Sequence, residues 1–323
     1  MHVQDIKKVL VVGAGTMGEG IAQSFAQAGL SVLLLDMDEG ALGRCRDQIQ
    51  SNLRLLQEFG LLAEEPPAIT SRIDFRPLES LVNIGGLIEG VNIVVEAIPE
   101  ILDLKRELFS RLDKGREEIV LCSNTSSLTI TEISEGMNTP GRVVGLHYFY
   151  PAHIIPLVEI HGGKRTDEKT ISITRELMVK VGKRPIVVRK EIPGFIVNRI
   201  QAAYNREVTY LLDEGVATAE ELDMAAKAGF GFRLACLGPL EIHDLNGLDV
   251  VLKAGGKTRQ SICNDREPSP SLVKKVEKGE LGVKTGKGWH DYQGQTREEV
   301  LEQSNRKLLQ QLALFKALEK KGK

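Results

Sequence analysis

The chain of 323 residues shows no excess of either charge: Lys plus Arg number 42 against 44 Asp plus Glu, a formal net charge of -2, and no basic block marks most of its length. That balance excludes the electrostatic footprint of a protein that grips nucleic acid or anionic lipid, and it favours a small molecule as partner. Cysteine is scarce. Its four copies, Cys45, Cys122, Cys236 and Cys263, are scattered without paired spacing, so neither a metal site nor a disulfide framework is expected. Together with an opening MHVQDIKK that has no apolar signal region, they read as free thiols of a cytoplasmic protein. Cys122 closes an apolar run and reads as packed, not nucleophilic. No apolar run approaches about 18 residues, the length that would span a bilayer. Internal repeats and low-complexity tracts are also missing. What is present is a 42% hydrophobic content, enough for a substantial core, and a length that suggests two domains.

The first organised stretch is KKVLVVGAGTMGEGIAQSFAQAGLSVLLLDMD, from Lys7 to Asp38. Val9 to Val12 form a short, β-branched apolar run that reads as a buried parallel strand. Met17, Ile21, Ala22, Phe25 and Ala28 then recur at helical spacing, Gly29 ends the helix, and Val32 to Leu35 give a second strand. The turn between strand and helix is Gly13-Ala14-Gly15-Thr16-Met17-Gly18, a complete G-x-G-x-x-G. Gly13 permits the tight turn, Gly15 lets the backbone approach a pyrophosphate, and Gly18 lets the helix pack on its strand; the phosphates meet the free N-H groups of the helix start. Asp36 follows Gly18 by eighteen residues, where a carboxylate can accept hydrogen bonds from the adenosine ribose. Met37 and Asp38 bring no arginine for a 2'-phosphate, so the cofactor expected is NAD and not NADP.

Beyond this unit the alternation continues, with a strand from Val91 and a helix from about Glu100, a strand from Ile119 to Cys122 and a helix from about Leu128, and then GRVVGLHYF. It predicts an α/β fold, a Rossmann-type doubly wound parallel sheet whose ligands bind beyond the carboxyl ends of the strands. Glu96 to Glu100, Ser123 to Ser127 and His147 onward occupy those ends. Pro185 to Val188 reads as a last strand and RKEIPG, from Arg189 to Gly194, as a linker. The expected division is therefore 1-189 for the dinucleotide domain and 190-323 for a mostly helical domain. The latter opens with an amphipathic run from Phe195 to Leu212 and carries a capping box at Thr218 to Glu221. Residues 295 to 323 read as a final amphipathic helix with a basic tip that packs on the body or on a partner subunit.

The motifs GAGTMGEGIA, VVEAIPE, SNTSSL, GLHYF, PLVEI, PGFIVNR, GPLEIHDLNGLD and GVKTGKGWHDY stand in an order and spacing that resembles the L-3-hydroxyacyl-CoA dehydrogenase family, across nearly the whole chain. The resemblance implies an NAD domain followed by an all-helical C-terminal domain that builds a homodimer, with the active site in the cleft between them. It implies reversible NAD-dependent oxidation of an L-3-hydroxyacyl-CoA to the 3-oxoacyl-CoA, a reaction of fatty acid β-oxidation. By the same resemblance His147 matches the catalytic histidine and Glu159 its partner. Ser126 matches the serine that contacts substrate and nicotinamide, and Asn198 the asparagine facing the substrate oxygen. Glu100, Lys105 and Lys284 match cofactor contacts, and no metal is implied.

These placements suit the chemistry. Oxidising a secondary alcohol removes the hydroxyl proton as hydride departs, and an imidazole, with a pKa near 6.5, exchanges such a proton at neutral pH. A carboxylate at the other ring nitrogen fixes the tautomer and stabilises the imidazolium. The twelve residues from His147 to Glu159, with Pro151 and Pro156 between, suit two extended segments that turn back on each other. Ser126 and Asn198 can donate to the carbonyl oxygen, an aid worth about 3 kcal/mol in such sites. His2, His153, His161, His243 and His290 read as structural or surface residues. Two positions depart from the family. Tyr150 stands where the motif H-x-F-N-P has asparagine. The segment RLLQEFGLLAEEPPA, from Arg54 to Ala68, carries no lysine towards the CoA phosphates, and phosphate sites favour concentrated positive charge. An alternative is therefore an enzyme of the same fold acting on a free polar hydroxy acid of the carnitine or gulonate type, without CoA. Dehydrogenases of the hydroxyisobutyrate class place a lysine four residues before the asparagine, where this chain has Gly194. A catalytically silent NAD-binding protein is disfavoured by the presence of both His147 and Glu159.

Overall fold

The computed structural model describes residues 2-114 and 118-321. The chain divides into two compact units: Met1-Ile196 with Leu308-Ala313, and Val197-Lys307 with Leu314-Lys323.

Among the described residues of the first unit, eight strands form one sheet in the order β3-β2-β1-β4-β5-β6-β7-β8. They are β1 (Lys8-Val12), β2 (Ser31-Asp36), β3 (Ile73-Pro77), β4 (Ile93-Glu96), β5 (Val120-Ser123), β6 (Val143-Tyr148), β7 (Leu157-Gly162) and β8 (Arg184-Val188). Helices cover both faces: α1 (Thr16-Gln27), α2 (Glu39-Glu58), α3 (Pro66-Thr70), α4 (Leu102-Asp113), α5 (Ile130-Ile133) and α6 (Glu168-Lys180). That double cover explains why the strands read as continuous apolar runs instead of alternating ones. Val9 and Val11 join a core with Ile21, Phe25, Val32 and Val95 on one side. Leu10 and Val12 join Leu33, Val94 and Phe109 on the other. The strand order reverses between β1 and β4, the point where open α/β sheets form their ligand crevice.

The sheet departs from the parallel expectation at one place. β7 runs antiparallel to β6, and β8 then lies parallel to β7. The hairpin-like return between Tyr148 and Leu157 contains a cis peptide at Tyr150-Pro151. It sets His147 directly opposite Glu159 in the register. The long α2 and the edge strand β3 were not foreseen; α2 starts because Asp38 accepts the Gly40 N-H as its N-cap. The expected helix from Phe195 begins two residues later, since Phe195 has φ of 49° and a left-handed residue cannot lie inside a right-handed helix.

The second unit is helical: α7 (Val197-Asp213), α8 (Ala219-Ala228), α9 (Phe230-Leu234), α10 (Pro239-Asn246), α11 (Leu248-Lys253), α12 (Gly256-Ser261), α13 (Pro270-Glu277) and the outer parts of α14 (Arg297-Lys321). Thr218 and Glu221 form the capping box expected for α8. The terminal helix starts at Arg297, two residues after the expected 295, and runs to Lys321; Gly322 and Lys323 lie outside the described residues. Its stretch 308-313 belongs to the first unit, where Leu309 and Leu312 are buried against Leu55, Leu56 and Ile154. No described helix is long and apolar enough to cross a membrane. Because Leu309 is fully buried in that cluster, Leu309→Ala should destabilise the protein by about 2-4 kcal/mol, read as a lower urea midpoint at an unchanged slope.

Candidate active site

The glycine turn has the geometry its residue types require. Gly13 sits at φ of 108°, and a Cβ there would lie 2.5 Å from the Ala97 carbonyl oxygen. A Cβ on Gly18 would lie 1.8 Å from the Gly13 oxygen, so α1 can approach its strand only without a side chain. At Gly15, the N-cap of α1, a Cβ would meet nothing within 4 Å. That open side, next to the free N-H groups of the helix start, fits a pyrophosphate. Asp36 ends β2 and accepts from Ala14 N at 2.7 Å and from Asp38 N at 2.9 Å, which ties it to the turn. Asp38, not Asp36, caps the following helix.

A second cluster lies beyond β4 and β5. Lys105 of α4 is almost fully buried, and its ammonium reaches Glu96 Oε1 at 2.5 Å, Glu100 Oε2 at 3.2 Å and the Ile98 carbonyl at 3.3 Å. Ser123 donates to the other oxygen of Glu96 at 2.5 Å. Glu100 Oε1 accepts from Thr125 Oγ1 at 2.7 Å, from the N-H groups of Ser126 and Ser127, each at 2.9 Å, and from Ser127 Oγ at 2.9 Å. Burial alone would push the Glu100 carboxyl up, but the Thr125 hydroxyl, the Lys105 charge and the Ser127 donors outweigh it and hold it at about 2. Glu100 is thus an anchor for the exposed Ser126 loop, and Lys105 stands beneath that loop with acceptors on its own chain. Glu96, Ser123 and Thr125 escaped the sequence reading as individual residues. The available signal was their position at strand ends, where ionisable or hydroxyl side chains interrupt apolar runs.

The pair singled out in the sequence is formed. His147 Nδ1 stands 2.9 Å from Glu159 Oε2, with His147 5% exposed and Glu159 fully buried. Glu159 Oε1 accepts the Ile196 N-H at 3.0 Å. Phe149 lies 4.4 Å from the His147 ring, centroid to centroid, and Phe195 5.5 Å. With Nδ1 turned to the carboxylate, Nε2 is the nitrogen left to exchange a proton. Tyr150, at the position that departs from the family motif, is half exposed. Asn198, in the first turn of α7, and Lys284, in a short 3-10 turn at Val283-Thr285, belong to the second unit. Cys122 is fully buried and burial pushes its thiol up, so it remains a packed thiol.

One carboxylate was missed altogether. Glu19 of α1 is half-buried, and its loss of solvent pushes it up to about 7 from 4.5. Glu19 follows the glycine motif as an ordinary helix residue, so its type gives no sequence signal for this.

The glycine turn and the acid at the end of β2 define a dinucleotide-binding α/β domain. Residues 8-192 match the model of the 3-hydroxyacyl-CoA dehydrogenase NAD binding domain and residues 194-292 that of the 3-hydroxyacyl-CoA dehydrogenase C-terminal domain. The chain belongs to the 3-hydroxyacyl-CoA dehydrogenase family, whose members are oxidoreductases acting on CH-OH groups with NAD. It is 36% identical over 292 residues to the mitochondrial hydroxyacyl-coenzyme A dehydrogenase of Homo sapiens, covering 89% of this chain and 91% of that one. It is 36% identical over 288 residues to 3-hydroxybutyryl-CoA dehydrogenase of Clostridioides difficile, covering 88% and 99%. A third relative is 5-formyl-3-hydroxy-2-methylpyridine 4-carboxylate 5-dehydrogenase of Mesorhizobium japonicum, 30% identical over 306 residues, covering 94% of this chain and 96% of that one. A crystal structure of a dehydrogenase for that pyridine substrate, described as an NAD+ dependent dismutase, superposes with a TM-score of 0.86 at 29% identity, covering 97% and 99%. A crystal structure of (S)-3-hydroxybutyryl-CoA dehydrogenase from Ralstonia eutropha gives 0.70 at 34% identity, covering 89% and 99%.

Two outcomes follow for the buried charges. Lys105→Met leaves Glu96 buried without its cation and should cost about 3-5 kcal/mol in denaturant unfolding, part of which Lys105→Met combined with Glu96→Gln should recover. For Glu19, the folded chain holds its proton up to about 7 while the unfolded chain releases it near 4.5, so folding weakens as pH rises between those values. Glu19→Gln should therefore raise the Tm at pH 8, by the equivalent of about 1-3 kcal/mol, and leave it unchanged at pH 4.

Proposed function

We propose that the protein interconverts a secondary alcohol and a ketone by proton transfer at His147, steadied by Glu159, and that its substrate is a small free hydroxy acid of the carnitine or gulonate type. NAD, when bound, supplies the acceptor for the hydride that leaves the alcohol carbon. His147 Nε2 takes the hydroxyl proton as the C=O bond forms. The Nδ1-H donates to Glu159 Oε2, which holds one tautomer and offsets the charge gained by the ring. Ser126 and Asn198 are assigned to donate to the carbonyl oxygen, and Gly13, Gly15, Gly18, Asp36, Glu100, Lys105 and Lys284 to form or support the cofactor site. The helical second unit is taken as the dimerisation element of a homodimer.

The observation that carries the proton-transfer reading is the 2.9 Å contact between two side chains that are otherwise buried. The free-acid reading has separate support. The end of α2 is covered at Leu55 and Leu56 by Leu309 and Leu312, in a segment whose one cation is Arg54. A diphosphate and a ribose phosphate would find Arg54 and Arg46 there, with Arg72 turned to Glu64, but no lysine. The Mesorhizobium relative, whose name gives a formylated pyridine carboxylate and no CoA, extends over almost the whole chain. The second reading, an L-3-hydroxyacyl-CoA substrate, is supported by the names of the human and Clostridioides relatives.

With NAD present, kcat/KM on a panel of free hydroxy acids including carnitine, gulonate and 3-hydroxybutyrate should exceed that on 3-hydroxybutyryl-CoA by at least about tenfold, roughly 1.4 kcal/mol. The opposite ranking returns the protein to acyl-CoA chemistry. In either case His147→Gln should abolish turnover while NADH fluorescence titration gives an unchanged Kd; near-normal activity would overturn the proton-transfer assignment.

A further inference from the structure

Behind the His147-Glu159 pair lies a second imidazole that the reaction does not use. His161 is two residues beyond Glu159 on β7 and pairs with Gly145 of β6, as Glu159 pairs with His147. Alternate residues of a strand share a face, so the ring and the carboxylate project from the same side of the sheet. His161 is fully buried, and neither ring nitrogen has a hydrogen-bond partner. Polar atoms buried in this way work against folding and call for an explanation. Room for the ring depends on glycine: a Cβ on Gly145 would lie 1.9 Å from His161 Nε2.

The ring carries Phe195. The two ring centroids are 3.9 Å apart at an interplanar angle of 30°. Phe195 is itself fully buried, and its φ of 49° is one that side-chain-bearing residues hold only when their surroundings over-determine it. The N-H of the next residue, Ile196, is the donor to Glu159 Oε1. A continuous set of contacts therefore runs from the His161 ring through the Phe195 backbone to Glu159 and on to His147 Nδ1.

We propose that His161 is a positioning residue for the His147-Glu159 pair, acting through Phe195: its flat ring seats Phe195 in the left-handed conformation that aims the Ile196 N-H at Glu159. This rests on reading His147 and Glu159 as the proton-exchanging pair. Charge on His161 would compete with His147 for Glu159, and the environment prevents it. Burial and the neighbouring His147 push His161 down to about 3 against the opposing pull of Glu159. The role requires the ring and not its nitrogens.

Three variants with a confirmed thermal melt test this: His161→Ala, His161→Phe and His147→Gln. On the best substrate, His161→Ala should lower kcat about tenfold with KM and the NADH Kd within about twofold of the parent, and His161→Phe should recover kcat to within about threefold. A folded His161→Ala with parental kcat sinks the inference, as does a folded His161→Phe no more active than His161→Ala. Should His161→Ala not fold, Phe195→Gly, which removes the seated ring and frees the backbone, must show the same kcat loss. If His147→Gln stays active, the failure lies in the underlying proton-transfer reading and not in the positioning role.

Discussion

A carboxylate with no exposed surface needs a partner on each oxygen, and Glu159 obtains them from His147 Nδ1 and the Ile196 N-H. That constraint organises the site. It requires β7 to return antiparallel to β6, because only this register places residues 147 and 159 face to face. It also requires the chain to turn at Phe195 before α7 begins, so that a backbone N-H is available to the second oxygen. Partners on both sides leave the carboxylate fixed, and a fixed carboxylate gives the imidazole a single orientation and tautomer.

The cofactor side follows a different logic. There the glycines remove atoms instead of adding contacts, so that the strand, the turn and α1 close on one another around an open side at Gly15. Charge enters through Lys105, held among Glu96, Glu100 and the Ile98 carbonyl. Glu100 converts that buried cation into order at the surface by collecting the N-H groups of Ser126 and Ser127. Lys105 thus lies below the loop, bound to the carboxylate that holds it. Leu309 and Leu312 cover the end of α2 at Leu55 and Leu56.

The glycine turn, Asp36, the alternation of strands and helices and the His147-Glu159 pair were legible because each is a local pattern or a short spacing with one chemical meaning. The antiparallel turn of β7 was legible only as two segments that fold back, since register depends on pairing and not on residue type. α2 and β3 were passed over: the polar outer face of α2 masks its buried Leu42, Ile49 and Leu53, and Phe75 is flanked by charged residues on an edge strand. His161 read as an ordinary structural histidine, because nothing in PLVEIHGG announces that its ring would lie over Gly145 and under Phe195. The resemblance named Lys105 as a cofactor contact, whereas its full burial depends on Glu96 nine residues earlier, a partner that helix and strand spacing does not reveal.

The most direct test of the central claim is the pH profile of kcat for Glu159→Gln beside the parent. Removing the negative charge while keeping the shape should cost about 100-fold or more in kcat over the whole range, with NADH binding retained. A profile equal to the parent's in height and shape would contradict the claim that Glu159 steadies the proton-exchanging imidazole.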